Sequence, residues 1–394
     1  MTRALVVGVG MVPFVKPGTQ APYDVMAGKA IRAALADAAL DYTDIEQAYA
    51  SYVYGDSTAG QCALYDVGIT GIPVINVNNN CSSGSTALYL ARQAVAAGAV
   101  ECALAFGFEE MTAGALGSVW SDRTAPLARF EQALSTLYPD APPAPIALRL
   151  FGCAANEYLR TTGASPRIFA QVAVKTRRHA AHNPYALFNK PLTLEEVLQA
   201  PQLYPDHLTR LEACAPSCGA AAVIVASPAF AQRHGIRHAV TIRAQSMATD
   251  CAASFTSAIN LVGADMTRRA AQAAFEQAGI ARDAIDVVEL HDCFTPNEVI
   301  SYEALGLCAQ GGAEEFIASG DNTYGGQFVV NPSGGLMSKG HPLGATGLAQ
   351  CAELVWQLRD DAGARQVQGA RFGLQHNLGL GGAVVVTIYE SASD

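Results

Sequence analysis

The sequence predicts an α/β protein built from two copies of one α/β unit. Three stretches of the first half recur in the second half, and they recur in the same order. The matches pair residues 33–50 with 273–290, the eight residues from Cys81 with the eight from His341, and residues 219–227 with 381–389. Each match is weak alone, but three matches in one order indicate an internal duplication.

The repeated stretches contain the elements of such a unit. Residues 33–50, AALADAALDYTDIEQAYA, predict an amphipathic helix, a short turn and a strand. The second repeat, CSSGSTAL in one half and HPLGATGL in the other, predicts the start of a helix. The third repeat, GAAAVIVAS and GGAVVVTIY, predicts a buried strand that begins at glycine.

The first copy contains a long additional segment between its last two strands. This segment includes the proline-rich stretch YPDAPPAP, which is typical of an inserted loop region rather than of a core layer. We therefore predict a first half at residues 1–115 that is completed by residues 211–240. The inserted loop domain then takes residues 116–210, and the second half takes residues 241–394.

The insertion also holds a basic stretch in an acidic protein. The chain has a net charge of −10, yet residues 158–194 contain six Lys and Arg residues and no acidic residue. The functional interpretation is a phosphate site formed by Lys175, Arg177, Arg178 and Lys190. A solvated helix face explains the same composition equally well.

Charge and composition argue against several functions. The acidic net charge opposes binding to nucleic acid and to anionic membranes. No apolar run reaches the roughly 20 residues that a membrane span needs. Ten cysteines without a secretion signal predict reduced thiols and a cytoplasmic protein.

Cys81 is the candidate nucleophile. It follows the apolar strand GIPVINV and three asparagines, and it is predicted to open a helix. The helix dipole and unpaired N–H groups are expected to lower the pKa of a thiol in this place. Because the duplication puts His341 at the equivalent helix start, the two halves should bring both residues together as a nucleophile–base pair. A buried structural cysteine is the alternative for Cys81 taken alone.

Two further predicted strand ends carry polar side chains. His291 and Cys293 follow the strand DAIDVV, and His376 and Asn377 precede a run of glycines. Functional groups of α/β sheets gather at strand ends, so these residues are expected at one site. Zinc binding by the cysteines and histidines of this centre is an alternative, but no CxxC or HExxH pair supports it.

Four motifs resemble the thiolase domain of sterol carrier protein X, a branch of the thiolase superfamily. They are NNNCSSGSTAL, HDCF, NPSGGLMSKGHPLGATGLAQ and QHNLGLGGAVVVTIY, and the resemblance extends over essentially the whole chain. It implies a five-layer αβαβα thiolase fold from two βαβαβαββ halves, with an inserted loop domain that covers coenzyme A. It also implies a homodimer or tetramer, and the fused sterol-carrier domain of eukaryotic relatives is not expected.

The resemblance also implies roles for four residues. Cys81 corresponds to the acylated nucleophile, and His341 of GHP corresponds to its base. Most thiolases carry an acid/base cysteine in a Cys-x-Gly loop, but the corresponding loop here reads NLG. In the sterol carrier protein X branch, Cys293 of HDCF takes over that acid/base role and His291 helps to bind the enolate oxygen.

The implied reaction is thiolysis of a 3-oxoacyl-CoA by coenzyme A to acetyl-CoA or propionyl-CoA and a shortened acyl-CoA. The oxyanion is expected at the N–H groups of Cys81 and Gly379, beside Asn377 and His376. Acyl-CoA and coenzyme A are the expected partners, and no metal or bound cofactor is expected. Two alternatives remain: a steroid side-chain retro-aldolase of the same fold, and a non-catalytic acyl-CoA or lipid carrier.

Overall fold

The computed structural model describes residues 3–112, 117 and 120–392. The strands are β1 Ala4–Met11, β2 Gln47–Ser51, β3 Val74–Val77, β4 Cys102–Glu109, β5 Gln202–Tyr204, β6 Leu208–Thr209, β7 Gly219–Ala226, β8 Val240–Ala248, β9 Val287–Glu289, β10 Val329–Val330, β11 Phe372–Gly379 and β12 Ala383–Glu390. The helices are α1 Tyr23–Ala38, α2 Ala59–Tyr65, α3 Ser83–Ala96, α4 Ala128–Leu137, α5 Ile146–Thr162, α6 Arg167–Ala180, α7 Leu194–Leu198, α8 Pro228–Arg233, α9 Ala258–Leu261, α10 Ala264–Ala278, α11 Thr295–Leu305, α12 Ala313–Ala318, α13 Gly335–Ser338 and α14 Leu343–Leu358.

Ten strands form one sheet whose two halves have the same order. The sequence across the sheet is β10-β9-β11-β12-β8-β1-β7-β4-β2-β3, and the halves meet where β1 pairs antiparallel with β8. In chain order the first half is β1-α1-β2-α2-β3-α3-β4-β7, and the second contains β8-α10-β9-α11-β10-α14-β11-β12. Both are βαβαβαββ units, so the predicted duplication is confirmed.

Strand β7 shows how the sheet separates two helical layers. Its alternate residues Ala222 and Ile224 pack in a core with α1 and α2, whereas Val223 and Val225 pack in a core with α3 and α14. This alternation follows from the period of two along a strand. Helices α10 and α11 contact each other, and α10 also packs on strands β8 and β12 of the second half. Helix α14 contacts β4 and β7 of the first half and β9 and β11 of the second half, so the layer of α3 and α14 lies between the two halves of the sheet. The result is the predicted five-layer αβαβα arrangement.

The two central helices touch at glycines near their N-terminal ends. A Cβ atom added to Gly84 of α3 would lie 2.8 Å from the carbonyl oxygen of Gly344 in α14. A Cβ atom added to Gly347 would lie 2.2 Å from Ser85 Oγ. Side chains at these glycines would therefore separate the helices. This close approach is what brings the residues before α3 next to the residues before α14.

The inserted segment lies between two neighbouring strands. Strands β4 and β7 pair antiparallel, with Cys102 opposite Ala226, and helices α4 to α7 and the β5–β6 pair lie between them in the chain. Helix α6 contacts α11 and α13, and α5 contacts α9 and α11, so the insertion packs on the second half. The predicted boundary between residues 115 and 116 lies outside the described residues.

Two expectations from composition can be compared with the structure. Among the described residues, no helix has the length and apolar character that crossing a membrane requires. All ten cysteines lie in the described part of the chain, and all are free thiols.

Candidate active site

The three asparagines before Cys81 build the turn that presents it. Asn78 Oδ1 accepts a hydrogen bond from the N–H of Asn80 at 3.0 Å, and Asn79 Nδ2 donates to Thr86 Oγ1 at 3.1 Å. Asn80 has a φ of 51°, a left-handed conformation that asparagine adopts more readily than most residues. Helix α3 begins at Ser83, so Cys81 lies two residues ahead of the helix rather than opening it.

The expected low pKa of Cys81 is wrong. The N–H groups of Cys81 itself and of Leu380 act on the sulfur and favour the thiolate, as the turn geometry predicts. Burial outweighs them and, with a contribution from the Glu109 carboxylate, raises the pKa of Cys81 to about 12. Although part of its surface is exposed, the residue is a neutral thiol at physiological pH.

The ring of His341 is held by a hydrogen bond at Nδ1, which leaves Nε2 available to a substrate or to Cys81. Its Nδ1 lies 2.7 Å from Thr346 Oγ1, and that hydroxyl donates to the carbonyl oxygen of Pro342 at 2.9 Å. The hydroxyl proton is thus used, so Thr346 accepts from Nδ1–H and Nε2 keeps a lone pair. Nε2 is buried and has no hydrogen-bond partner among the residues that the structure describes. Burial lowers the pKa of His341 to about 3, so the ring is neutral.

His291 carries its proton on the opposite ring nitrogen. Asn377 Nδ2 lies 3.0 Å from His291 Nδ1 and 3.2 Å from the carbonyl oxygen of Cys81. A carbonyl oxygen can only accept, so the amide nitrogen faces both atoms and His291 Nδ1 accepts. Burial, with the neighbouring His341 and His376, holds the pKa of His291 well below its usual value. A neutral ring that accepts at Nδ1 has its proton at Nε2.

Cys81, His291 and His341 form a compact cluster. The sulfur and one nitrogen of each ring lie within 4.8 Å of one another, and the two rings meet edge to face at 5.1 Å. Zinc could occupy such a cluster by position alone. A zinc ion would need an unprotonated His291 Nε2, however, and the Asn377 contact keeps the proton there. The cluster thus offers a thiol, a basic nitrogen and an N–H donor.

Cys293 lies next to a cysteine that the sequence did not single out. The N–H of Cys214 donates to the carbonyl oxygen of Cys293 at 2.9 Å, within a short antiparallel bridge. Burial raises the pKa of Cys293 well above its usual value, and Cys214 and Cys81 raise it further. All three thiols are therefore within electrostatic reach of one another. Ser217 of the same segment accepts from the N–H of His341 at 2.6 Å, so residues 214–217 form a wall of the site.

The glycine-rich hairpin closes the site from the other side. A Cβ atom added to Gly379 would lie 2.2 Å from the carbonyl oxygen of Asn79, so Gly379 contacts the turn that presents Cys81. Its role as an oxyanion donor stays a prediction. His376 uses both ring nitrogens elsewhere: Nε2 meets Thr267 Oγ1 at 2.9 Å and Nδ1 accepts from the N–H of His291. The structure therefore makes His376 a support for His291 rather than a group beside the oxyanion.

Glu109 is a buried acid that sequence reasoning missed. Its carboxylate accepts from the N–H groups of Val53, Tyr54 and Gly344, and the last of these belongs to the first turn of α14. Burial raises the pKa of Glu109 to about 7 despite these three donors. The position at the end of β4 was a signal that could have identified it, since strand ends collect functional groups.

The basic stretch is only partly available to a ligand. Lys175 is buried and its ammonium is paired with Glu298, so the structure contradicts a phosphate role for it. Arg177 places its guanidinium 4.3 Å from the ring centre of Phe188. Arg178 and Lys190 are exposed, and Arg178 lines a cavity of about 350 Å³ between α6 and residues 317–323.

Comparisons with known proteins identify relatives of the chain. The "Thiolase, N-terminal domain" family matches residues 4–256, and the "Thiolase C-terminal domain-like" family matches residues 248–391. "Sterol carrier protein 2" of Oryctolagus cuniculus is 52% identical over 99% of this chain and 72% of its own length. "Non-specific lipid-transfer protein-like 2" of Caenorhabditis elegans is 41% identical over 98% of this chain and 96% of its own. The solved structure of an "Ltp2-ChsH2(DUF35) aldolase" has a TM-score of 0.84 at 25% identity and covers 99% of this chain and 98% of that one.

Proposed function

Because the chain belongs to the thiolase family, we propose that it cleaves 3-oxoacyl-CoA with coenzyme A through a Cys81 acyl-enzyme. The products are acetyl-CoA or propionyl-CoA and a shortened acyl-CoA, in fatty-acid or sterol side-chain degradation. One observation carries the proposal: the Cys81 thiol and one nitrogen of each of two neutral imidazoles lie within 4.8 Å of one another. The hydrogen bonds at the Nδ1 atoms leave Nε2 of His341 as an acceptor and Nε2 of His291 as a donor. A carrier protein has no need of this combination.

The first step uses Cys81 as a neutral thiol. Its proton moves to His341 Nε2 as the sulfur attacks the 3-keto carbon, because neither group is ionised beforehand. The oxyanion that forms binds the N–H groups of Cys81 and Gly379. The bond between C2 and C3 then breaks, and its electron pair passes into a thioester enolate. The enolate oxygen accepts hydrogen bonds from His291 Nε2–H and from the newly protonated His341.

The second step uses the buried thiol of Cys293. A raised pKa keeps Cys293 protonated, which suits a donor, and it gives its proton to C2 of the enolate. Free coenzyme A then passes its thiol proton to the Cys293 thiolate and attacks the acyl group on Cys81. Cys81 leaves as a thiol when His341 returns its proton. Every group is thereby restored.

The basic stretch supplies the proposed contacts with coenzyme A phosphates through Arg177, Arg178 and Lys190. Replacing Arg178 with alanine should raise the KM for coenzyme A while leaving kcat nearly unchanged, because contacts remote from the reacting bond act on ground and transition states alike. Lys175→Met serves as the internal comparison, since Lys175 neutralises Glu298 rather than a ligand. It should lower stability without a specific change in KM. An unchanged KM in Arg178→Ala would contradict the phosphate site and favour the interpretation of the basic stretch as a solvated helix face.

The assembly and compartment of the enzyme are proposals of the same kind. We propose at least a homodimer, because β3 ends the sheet and the nearby Ile69 and Tyr65 are 78% and 53% exposed. Light scattering after size exclusion tests this, and a monomer at micromolar concentration would contradict it. The ten free thiols support a reducing compartment such as the cytoplasm.

A retro-aldolase is the second candidate, favoured by the similarity to the Ltp2-ChsH2 aldolase structure. Assays with straight, 2-methyl-branched and sterol-derived substrates, each as the 3-oxoacyl-CoA and as the 3-hydroxyacyl-CoA, test both functions. Thiolysis that depends on coenzyme A supports the proposal. Cleavage of 3-hydroxyacyl-CoA substrates that survives Cys81→Ala would instead support the aldolase.

A further inference from the structure

A chain of buried polar side chains leads from His291 along the face of the sheet that packs against α3 and α14. Ser85 Oγ donates to Asn377 Oδ1 at 2.8 Å, and Gln375 Nε2 donates to Ser85 Oγ at 2.9 Å. Tyr389 O–H donates to Gln375 Oε1 at 2.5 Å. All five residues, including His291, are at most 1% exposed. Water therefore does not compete for these hydrogen bonds.

Two backbone carbonyls fix the direction of every bond in this chain. Gln375 Nε2 also donates to the carbonyl oxygen of Gly347 at 2.6 Å, so the amide oxygen of Gln375 must face Tyr389. Asn377 Nδ2 donates to the carbonyl oxygen of Cys81, so the amide oxygen of Asn377 must face Ser85. Both amides would meet a carbonyl oxygen with their own oxygen if they were turned around. The Ser85 hydroxyl accepts from one amide and donates to the other.

We infer that Ser85 and Gln375 are positioning residues that keep the ring proton of His291 on Nε2, where it can bind the enolate oxygen. The inference rests on the proposed thiolysis and deepens it. Ser85 gives the amide oxygen of Asn377 a donor, and this holds the Asn377 amide nitrogen against His291 Nδ1. Without Ser85 the Asn377 amide oxygen is buried and unpaired, and the 3.2 Å contact of the amide nitrogen with the carbonyl oxygen of Cys81 is left to oppose turning the amide. A turned amide brings its oxygen to His291 Nδ1. The ring proton then moves to Nδ1, and Nε2 stops being a donor.

The inference separates two partial reactions of the same site. Acyl transfer between acetyl-CoA and Cys81 forms no enolate and needs Cys81, His341 and the backbone donors. Exchange of the acetyl-CoA methyl protons with solvent forms the enolate and needs His291 Nε2–H. Loss of the hydrogen bonds from Gln375 through Ser85 to Asn377 should slow the second reaction and spare the first. A general loss of packing would slow both.

The test measures both reactions in Ser85→Ala. Incorporation of labelled coenzyme A into acetyl-CoA follows acyl transfer, and deuterium loss from methyl-deuterated acetyl-CoA follows the enolate. Removing one oxyanion donor typically costs about 10²–10³-fold, so methyl exchange and thiolysis should fall at least about tenfold. Label incorporation should stay within about threefold of the wild-type rate.

Three other variants make the result specific. Ser338→Ala removes a buried hydroxyl that has no hydrogen-bond partner among the described residues, and it should leave both reactions unchanged. Tyr389→Phe should also change both by less than about threefold, because Gln375 Nε2 still donates to the carbonyl oxygen of Gly347 at 2.6 Å and to Ser85 Oγ at 2.9 Å. If Ser85→Ala does not fold, Asn377→Asp tests the same point, since its side chain presents only oxygen to His291 Nδ1.

The possible results distinguish a failure of the positioning role from a failure of the proposed thiolysis. A selective loss of methyl exchange in Ser85→Ala supports the positioning role of Ser85 and Gln375. Equal losses in both reactions, or no loss in either, overturn it while leaving thiolysis in place. A wild-type protein without methyl exchange and without thiolysis overturns the proposed function and the inference with it.

Discussion

Replacing Thr346 with valine should disable His341 as a base without disturbing the fold around it. The change keeps the shape of the side chain and removes the hydroxyl that accepts from His341 Nδ1–H at 2.7 Å. The hydroxyl also donates to the carbonyl oxygen of Pro342, but that oxygen still accepts from the N–H groups of Ala345 and residue 346 at 2.9 Å each. The unpaired group that remains is therefore the buried Nδ1–H.

The expected loss follows from the cost of that unpaired donor. A buried polar group without a partner costs about 1–3 kcal/mol. Moving the ring proton to Nε2 would relieve this cost but would remove the lone pair that accepts the Cys81 proton. Because about 1.36 kcal/mol corresponds to a factor of ten in rate, acyl transfer to Cys81 should slow roughly 5- to 150-fold.

The assay is incorporation of labelled coenzyme A into acetyl-CoA, with the melting temperature measured in parallel. Thr346→Ser keeps the hydroxyl and is the matched control, so it should react within a few-fold of wild type. Two results would refute the reasoning: a valine variant within twofold of wild type, or a serine variant as slow as the valine variant. Either would mean that this hydrogen bond does not set the state of His341.

The remaining predictions concern pH and proton transfer. The pKa values of Cys81 and His341 lie at about 12 and about 3. Neither group should therefore change its protonation between pH 5 and 9, and neither should cause a pH dependence of the acyl-transfer rate in that range. Glu109, with a pKa raised by burial to about 7, becomes negative as the pH rises through that value and then opposes charge on the Cys81 sulfur. Acyl transfer should therefore slow as the pH rises through about 7, and Glu109→Gln should flatten the profile; a rate that rises through pH 7 would contradict this. Cys293→Ala should lower thiolysis and methyl exchange by roughly 10²–10⁴-fold while Cys81 still reacts with iodoacetamide, and near-wild-type exchange would move the acid/base role to the neighbouring thiol of Cys214.

Local patterns in the sequence were sufficient to predict the architecture and the proximity of Cys81 and His341. Helical spacing, glycine-led strands and matched order depend on residues close in the chain, and these features predict the duplication. Symmetry then places the two residues together, because equivalent positions of the two halves approach one another at α3 and α14.

The protonation states at the site could not be predicted in this way. The pKa of Cys81 depends on burial by segments far apart in the chain, including the Glu109 carboxylate and the hairpin at Leu380. The dipole argument considers the helix alone and therefore gives the wrong sign. Lys175 shows the same limit, since its partner Glu298 lies more than a hundred residues away and is not suggested by any local pattern.

The neighbours of the site were missed for a related reason. Cys214 lies between β6 and β7, and its contact with Cys293 depends on the bridge between Ala213 and Phe294, which belong to parts of the chain that share no repeat. Ser85 and Gln375 are ordinary buried polar residues until their partners are known. A sequence shows that such residues are present, but only the packing shows which hydrogen bonds they make.

The central claim, an acyl group carried by Cys81, is tested most directly by intact-protein mass measurement. Protein mixed with a 3-oxoacyl-CoA and quenched in acid should gain the mass of the shortened acyl group, located by peptide mapping to Cys81. Free coenzyme A should remove it. Cys81→Ala should show neither adduct nor turnover, whereas Cys62→Ala, which changes an exposed cysteine, should behave as wild type. Product formation without an adduct, or an equal adduct in Cys81→Ala, would contradict the account.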